Sequence, residues 1–232
     1  SSSSAASDVY KRQDQQQRCA ALPAPRAADD TPLAQQRLVV LDLETSGLDL
    51  KRDQVLSIGA VVIDGGAIQL GEQFECTLQR DGHTVSASVL IHGLAPSAIA
   101  AGIEPAEALL AFMEFLGDSP LLAFHAGFDQ RMLARALKDT LNLRLRHPFY
   151  DVAELAPMLC PQAEIRNGGL DDWTAYFGLQ VGQRHHASAD ALVTAELALI
   201  LFSRARKQQA DSLKALEQRL KSWRQRLQGH SL

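Results

Sequence analysis

Residues 38–47, LVVLDLETSG, decide how this chain is read. Four apolar residues run without a break into Asp42 and Glu44. An apolar run closed by turn residues is the pattern of a central strand covered on both faces. Side chains alternate along a strand, so acids two positions apart point to the same side of the sheet. Two carboxylates side by side at the end of a buried strand repel each other and lose hydration, a cost that a bound cation offsets. A divalent metal is the natural candidate. Taken alone, D-x-E fits equally a strand end whose acids simply face water, and the rest of the chain separates the two readings.

The chain has 232 residues, 46% of them hydrophobic, which suits one main domain with a substantial core. Its net charge of -4 does not advertise a nucleic-acid binder, but the charge is unevenly spread. From residue 201 to 232, eight Lys and Arg (Arg204, Arg206, Lys207, Lys214, Arg219, Lys221, Arg224, Arg226) stand against Asp211 and Glu217, so the tail is basic and the body acidic. Cys19, Cys76 and Cys160 are odd in number and lack C-x-x-C spacing, which argues against a disulfide framework and a zinc site and for a reducing compartment. No apolar run approaches the roughly 18 residues that span a bilayer, and the N-terminus has no charged-then-apolar signal layout. A soluble, cytoplasmic protein without a membrane partner is expected.

Residues 1–34, rich in Ser, Ala, Gln and Asp without periodicity, read as a disordered extension outside the fold. The stretch SSSSAASDVYKRQ reads as a non-native scar, and with Met113 as the first methionine no natural start is evident. A folded domain is expected over 35–203. Residues 54–63, QVLSIGAVVI, form a second strand; Asp64-Gly65-Gly66 signals a hairpin that returns a third over 68–78. Helices are expected over 105–116, 129–137, 152–159, 170–177 and 188–202, with short strands at 120–124 and 149–151. An antiparallel meander followed by alternating helix and strand predicts an α/β three-layer domain around a mixed five-stranded sheet.

Two further acids open helices. Asp129 follows His125 in H-x-x-x-D, where a strand hands over to a helix, and Asp190 follows His185 in H-x-x-x-x-D, in a helix's first turn. Each acid alone is explained by the helix macrodipole, and each histidine by a loop.

Together, D-x-E at Asp42 and Glu44, H-x-x-x-D at Asp129 and H-x-x-x-x-D from His185 to Asp190 closely resemble the DEDDh, or DnaQ-like, branch of the 3′-to-5′ exonucleases. That branch has the ribonuclease-H-like fold and includes the proofreading subunit of bacterial DNA polymerase III. The resemblance covers residues 38–202. It implies that Asp42, Glu44, Asp129 and Asp190 bind two Mg²⁺ or Mn²⁺ ions and that His185, not His186, is the general base. It also implies that Thr45, Leu48, His92 and Phe128 contact the substrate. Ala126 departs from the family, which commonly has Asn after the histidine of the second motif.

The activity so implied is two-metal hydrolysis at single-stranded or frayed DNA 3′ ends, releasing nucleoside 5′-monophosphates. An RNA-trimming exoribonuclease uses the same five residues, and a non-catalytic domain that binds nucleic acid or a polymerase is the alternative of a different class. Over 204–232 a basic amphipathic helix is expected. Its Leu213, Leu216, Leu220, Trp223 and Leu227 are spaced 3, 4, 3, 4, the pattern of a coiled-coil seam. The helix can fold back on the domain, self-associate, dock on a polymerase subunit, or lay its basic flank on a phosphate backbone.

Overall fold

A computed structural model of the chain describes residues 2–80, 93–182 and 187–231. Strand β1 (Arg37–Thr45) is the third of five in a mixed sheet ordered β3-β2-β1-β4-β5. It pairs antiparallel with β2 (Val55–Asp64), which turns through Gly65 and Gly66 into antiparallel β3 (Ala67–Thr77). Both glycines have positive φ, the conformation this tight hairpin needs. On its other side β1 is parallel to the short β4 (Leu121–Ala123), which is parallel in turn to β5 (Phe149–Asp151).

Alternation along β1 divides the core into two layers. Leu38 and Val40 face α5 (Val152–Leu159), α6 (Leu170–Phe177) and α7 (Ala187–Lys207). Val39, Leu41 and Leu43 face α3 (Pro105–Leu116) and α4 (Ala126–Leu141), while the short α2 (Pro96–Ala100) contributes Ile99 near Leu56. The expected three-layer α/β fold with a mixed five-stranded sheet is what forms. The helices α3, α5 and α6 have the bounds read from the sequence. Helix α4 begins three residues earlier than read, because His125 takes a left-handed conformation and turns the chain directly into it.

The N-terminal extension is a correction. Residues Ser2–Ala20 form a helix, α1, where disorder was expected. The residues of this segment are mostly competent helix formers without an apolar stripe, and α1 is held against α3 by charge: Arg18 meets Glu107 at 2.9 Å and Glu114 at 2.5 Å, and Lys11 pairs with Glu104. Partners some ninety residues away in the chain leave no trace in local periodicity.

The C-terminal helix α8 (Leu213–Gly229) folds back on the domain. Ser212 caps it by accepting the Ala215 N–H at 3.0 Å. Leu213, Leu216 and Leu220 are buried in the same core layer as β1 and α7, with Trp223 packed against them. Tyr150 Oη donates to Glu217 at 2.7 Å, and Arg224 forks onto Glu154 at 2.6 and 2.8 Å. No helix among the described residues is long and apolar enough to cross a membrane.

Candidate active site

The site forms where β1 outruns its parallel neighbour. Val40 stands beside Leu122, and β4 stops one residue later at Ala123, so Asp42 to Thr45 continue without a strand on that side. The main-chain N–H of Leu43, lacking a strand acceptor there, donates to Asp129 Oδ1 at 3.3 Å. Asp129 reaches this point from α4, which packs on the opposite face of the sheet from α7. The gap beyond β4 lets an acid from one layer meet acids facing the other.

Asp42 and Glu44 lie on the α7 face, and there Asp190, in the first turn of α7, joins them: one carboxylate oxygen from each lies within 4.8 Å of the others. Helix α7 comes this close because of Gly59 on β2, the cross-strand partner of Asp42. A Cβ on Gly59 would stand 2.3 Å from the carbonyl carbon of Ala187 and 2.5 Å from the Ser188 nitrogen. Sequence reading passed over Gly59, although a glycine inside a β-branched strand is the usual mark of a close backbone approach.

The electrostatics follow from this crowding. Burial, then the charges of Asp129, Glu44 and Asp190, push the Asp42 carboxyl well above the usual carboxylate range. Asp129 is pushed up chiefly by burial, with Glu44 and Asp151 adding to the shift and the Leu43 N–H opposing it. Glu44, Asp129 and Asp190 are buried. Three oxygen-bearing anions gathered at one strand end form the donor set that a hard divalent cation prefers, and its charge would offset their repulsion.

A fifth acid, Asp151, also went unread as a site residue. It ends β5 and caps α5: its Oδ1 accepts the N–H of Ala153 at 3.0 Å and that of His125 at 2.9 Å. It thereby ties down the left-handed turn that launches α4 toward the site. Ala126, where the family commonly has Asn, offers its backbone N–H to the same carboxylate. An acid just before an apolar helix is a helix-cap signal, which the sequence does carry.

The remaining expected residues divide. Thr45 is buried at the end of β1 and its Oγ1 donates to the Gly47 carbonyl at 2.8 Å. Leu48 stands in the following loop with 84% of its surface exposed. Phe128 opens α4 next to Asp129 and packs partly against the core. His92 and His185, like His186, lie outside the described residues.

A family model described as Exonuclease, RNase_T, matches residues 39–198. Over 172 residues the chain is 33% identical to the DNA polymerase III PolC-type of Thermotoga maritima, a match covering 74% of this chain and 12% of that protein. It is also 33% identical over 181 residues to a DNA polymerase III subunit epsilon-like protein of Rhodobacter capsulatus, covering 76% of this chain and 25% of that one. The chain thus spans a quarter or less of these relatives' length. Among solved structures, E. coli exonuclease I in complex with a dT13 oligonucleotide aligns with a TM-score of 0.63 at 19% identity, over 75% of this chain and 42% of that one. At that identity the likeness is one of fold.

Proposed function

The chain belongs to the DnaQ-like DEDDh exonuclease family, and from that premise we propose that it removes mononucleotides from the 3′ end of single-stranded or frayed DNA. The observation that carries the proposal is the convergence of Asp42, Glu44 and Asp190 within 4.8 Å, with Asp129 bound to the backbone between the first two.

In this reading Asp42, Glu44, Asp129 and Asp190 hold two Mg²⁺ or Mn²⁺ ions. When bound, such cations supply Lewis acidity at the scissile phosphate and a water of lowered pKa. The acids position that charge and, without it, would repel a nucleic acid. His185 sits two residues ahead of Ala187, the first residue of α7, and its role is to accept the proton of the attacking water at a pH near neutrality. The exposed Leu48 suits a side chain that packs on the terminal base, with Thr45 and Phe128 near it, and the resemblance adds His92 as a further substrate contact. A frayed end is favoured because a base must leave its stack to meet such a side chain. The polymerase names of the relatives support a cytoplasmic role beside a replicative polymerase.

The test is digestion of matched DNA and RNA oligonucleotides, labelled at the 5′ end, with Mg²⁺ or Mn²⁺ restored after chelation. Products shortened stepwise from the 3′ end are expected, with DNA the faster substrate. Asp42→Ala and His185→Ala should each abolish product while leaving the circular-dichroism spectrum intact. Full activity in both variants would overturn the assignment; faster digestion of RNA would make the enzyme a ribonuclease, and binding without metal-dependent cleavage would make it a binding domain.

A further inference from the structure

At the loop that leaves the acid-bearing strand β1 and leads into β2 lie two arginines that hold backbone rather than acids. Arg135, in the third turn of α4, donates from Nη1 to the Leu50 carbonyl at 2.5 Å. Arg80, just past the end of β3, donates from Nε to the Val55 carbonyl at 3.1 Å. Arg135 thus braces the connection over residues 46–54, which carries the exposed Leu48 and leads out of the site at Thr45, and Arg80 braces Val55, the first residue of β2, where that connection ends. Neither guanidinium meets a carboxylate among the described residues.

Each of these hydrogen bonds uses one N–H of a group that has five, in a planar fork whose geometry matches a phosphate. Both residues are half-buried. Burial, and then the facing charge of Arg135, lower the Arg80 guanidinium from its ordinary value, so an anion between the two would relieve an existing repulsion. Arg131, exposed one turn before Arg135 on the same face of α4, extends this positive strip toward Phe128, which shares that face at the start of the helix. The body of the chain is acidic, which sets the strip apart.

We infer that Arg80 and Arg135, with Arg131 beside them, form a phosphate subsite for the substrate strand upstream of the scissile bond, at the 46–54 loop that leaves the acid-bearing strand. A polynucleotide that places its terminal base against Leu48 has its preceding phosphates to dispose of, and this strip offers them cations at that loop. This inference rests on the nuclease reading above. It adds that affinity grows with strand length through these residues, while the acids act on the terminal phosphodiester.

Two substrates separate the contributions in the full chain: a p-nitrophenyl ester of thymidine 5′-monophosphate, which offers only the cleaved phosphate, and a short single-stranded DNA oligonucleotide. Replacing both arginines, as Arg80→Gln with Arg135→Gln, should lower the ratio of kcat/KM on the oligonucleotide to that on the ester by about tenfold or more. The slope of log KM against log salt for the oligonucleotide should become shallower by about 0.7 for each phosphate that the variant no longer neutralises. Lys at both positions should keep most of that slope, because it keeps the charge. An unchanged ratio overturns the inference. So does an equal loss on both substrates, which would mark the pair as a clamp that merely shapes the loop. Fluorescence anisotropy with a labelled oligonucleotide in metal-free buffer reads the same comparison as binding. If the unsubstituted protein cleaves neither substrate, the nuclease reading falls, and the anisotropy result still decides for or against the subsite.

Discussion

Gly59 lies directly under Ala187: a Cβ added to the glycine would come within 2.3 Å of the Ala187 carbonyl carbon and 2.6 Å of its oxygen. The middle of β2 thus sets the height at which α7 begins, and with it the distance from Asp190 to Asp42 and Glu44.

Gly59→Ala is therefore expected to act on catalysis from a position that bears no chemistry. The colliding atoms are backbone, so the start of α7 must shift, and a displacement of about 1 Å at a catalytic group costs on the order of 100-fold in rate. Overpacking adds a loss of about 1–3 kcal/mol in stability. Metal-dependent cleavage and thermal melting of the purified variant check both; wild-type activity would show that Asp190 does not need this close approach.

Asp42→Asn should remove activity yet make the metal-free protein more stable near neutral pH. The sign follows from the raised folded-state pKa. An unfolded Asp releases its proton near pH ~4, whereas folded Asp42 still holds its own, so folding loses stability as pH rises from there through the folded value. The variant escapes that loss. Its melting temperature should exceed that of the parent by about 2–4 °C for each kcal/mol of repulsion relieved, and the gap should close on acidification. Mg²⁺ or Mn²⁺ should raise the melting temperature of the parent, by about 2.7 kcal/mol of stability at a hundredfold excess over Kd, and raise that of the variant much less. Equal responses to metal in the two proteins would remove Asp42 from the cation site.

His147 supplies a pH dependence of the opposite sign, away from the site. It is buried, its Nε2 lies 2.7 Å from the Gly117 carbonyl, and its Nδ1 has no hydrogen-bond partner among the described residues. Nε2 must therefore carry the proton that it donates to the carbonyl. Burial pushes the imidazole below its ordinary value, against the pull of Gly117 and Asp118. The unfolded chain takes up a proton near pH ~6.5 while the folded one resists, so this residue removes stability as pH falls through that range. His147→Gln keeps a donor for Gly117, and the difference in melting temperature between the two proteins should shrink or reverse on going from about pH 7.5 to 5.5. A constant difference would refute the role.

Leu216→Ala tests whether α8 belongs to the domain. Leu216 is fully buried in the layer that contains Val40 and Leu201, so truncation should cost about 2–5 kcal/mol. Leu227→Ala, in the same 3, 4, 3, 4 series but 49% exposed, should be close to neutral. Denaturant unfolding of the two variants distinguishes a helix packed on its own core from one held only by a partner, for which Leu227 would matter as much as Leu216.

Much of the fold was legible because its signals are local. The apolar run into Asp42, the Asp64-Gly65-Gly66 hairpin, Pro105 at the start of α3 and Gly178 at the end of α6 each act through neighbouring residues, and those elements lie where the pattern places them. Helix α1 escaped because Arg18, Glu107 and Glu114 are joined across some ninety positions. The candidate site was legible as a list of residue types in order. Gly59 and Asp151 were missed because each acts on something far off in the chain: Gly59 by making room for Ala187, Asp151 by accepting the His125 N–H.

By itself, then, the sequence determined the strands and most of the helices, the alternation that aims Asp42 and Glu44 to one side, and the order of acids and histidine along the chain. Only the tertiary structure decided that Asp129 and Asp190, carried by helices on opposite faces of the sheet, come to the same strand end. The reason is steric and lies outside any one segment. Strand β4 ends at Ala123 and leaves the Leu43 N–H open to Asp129, and Gly59 has no side chain to hold α7 away.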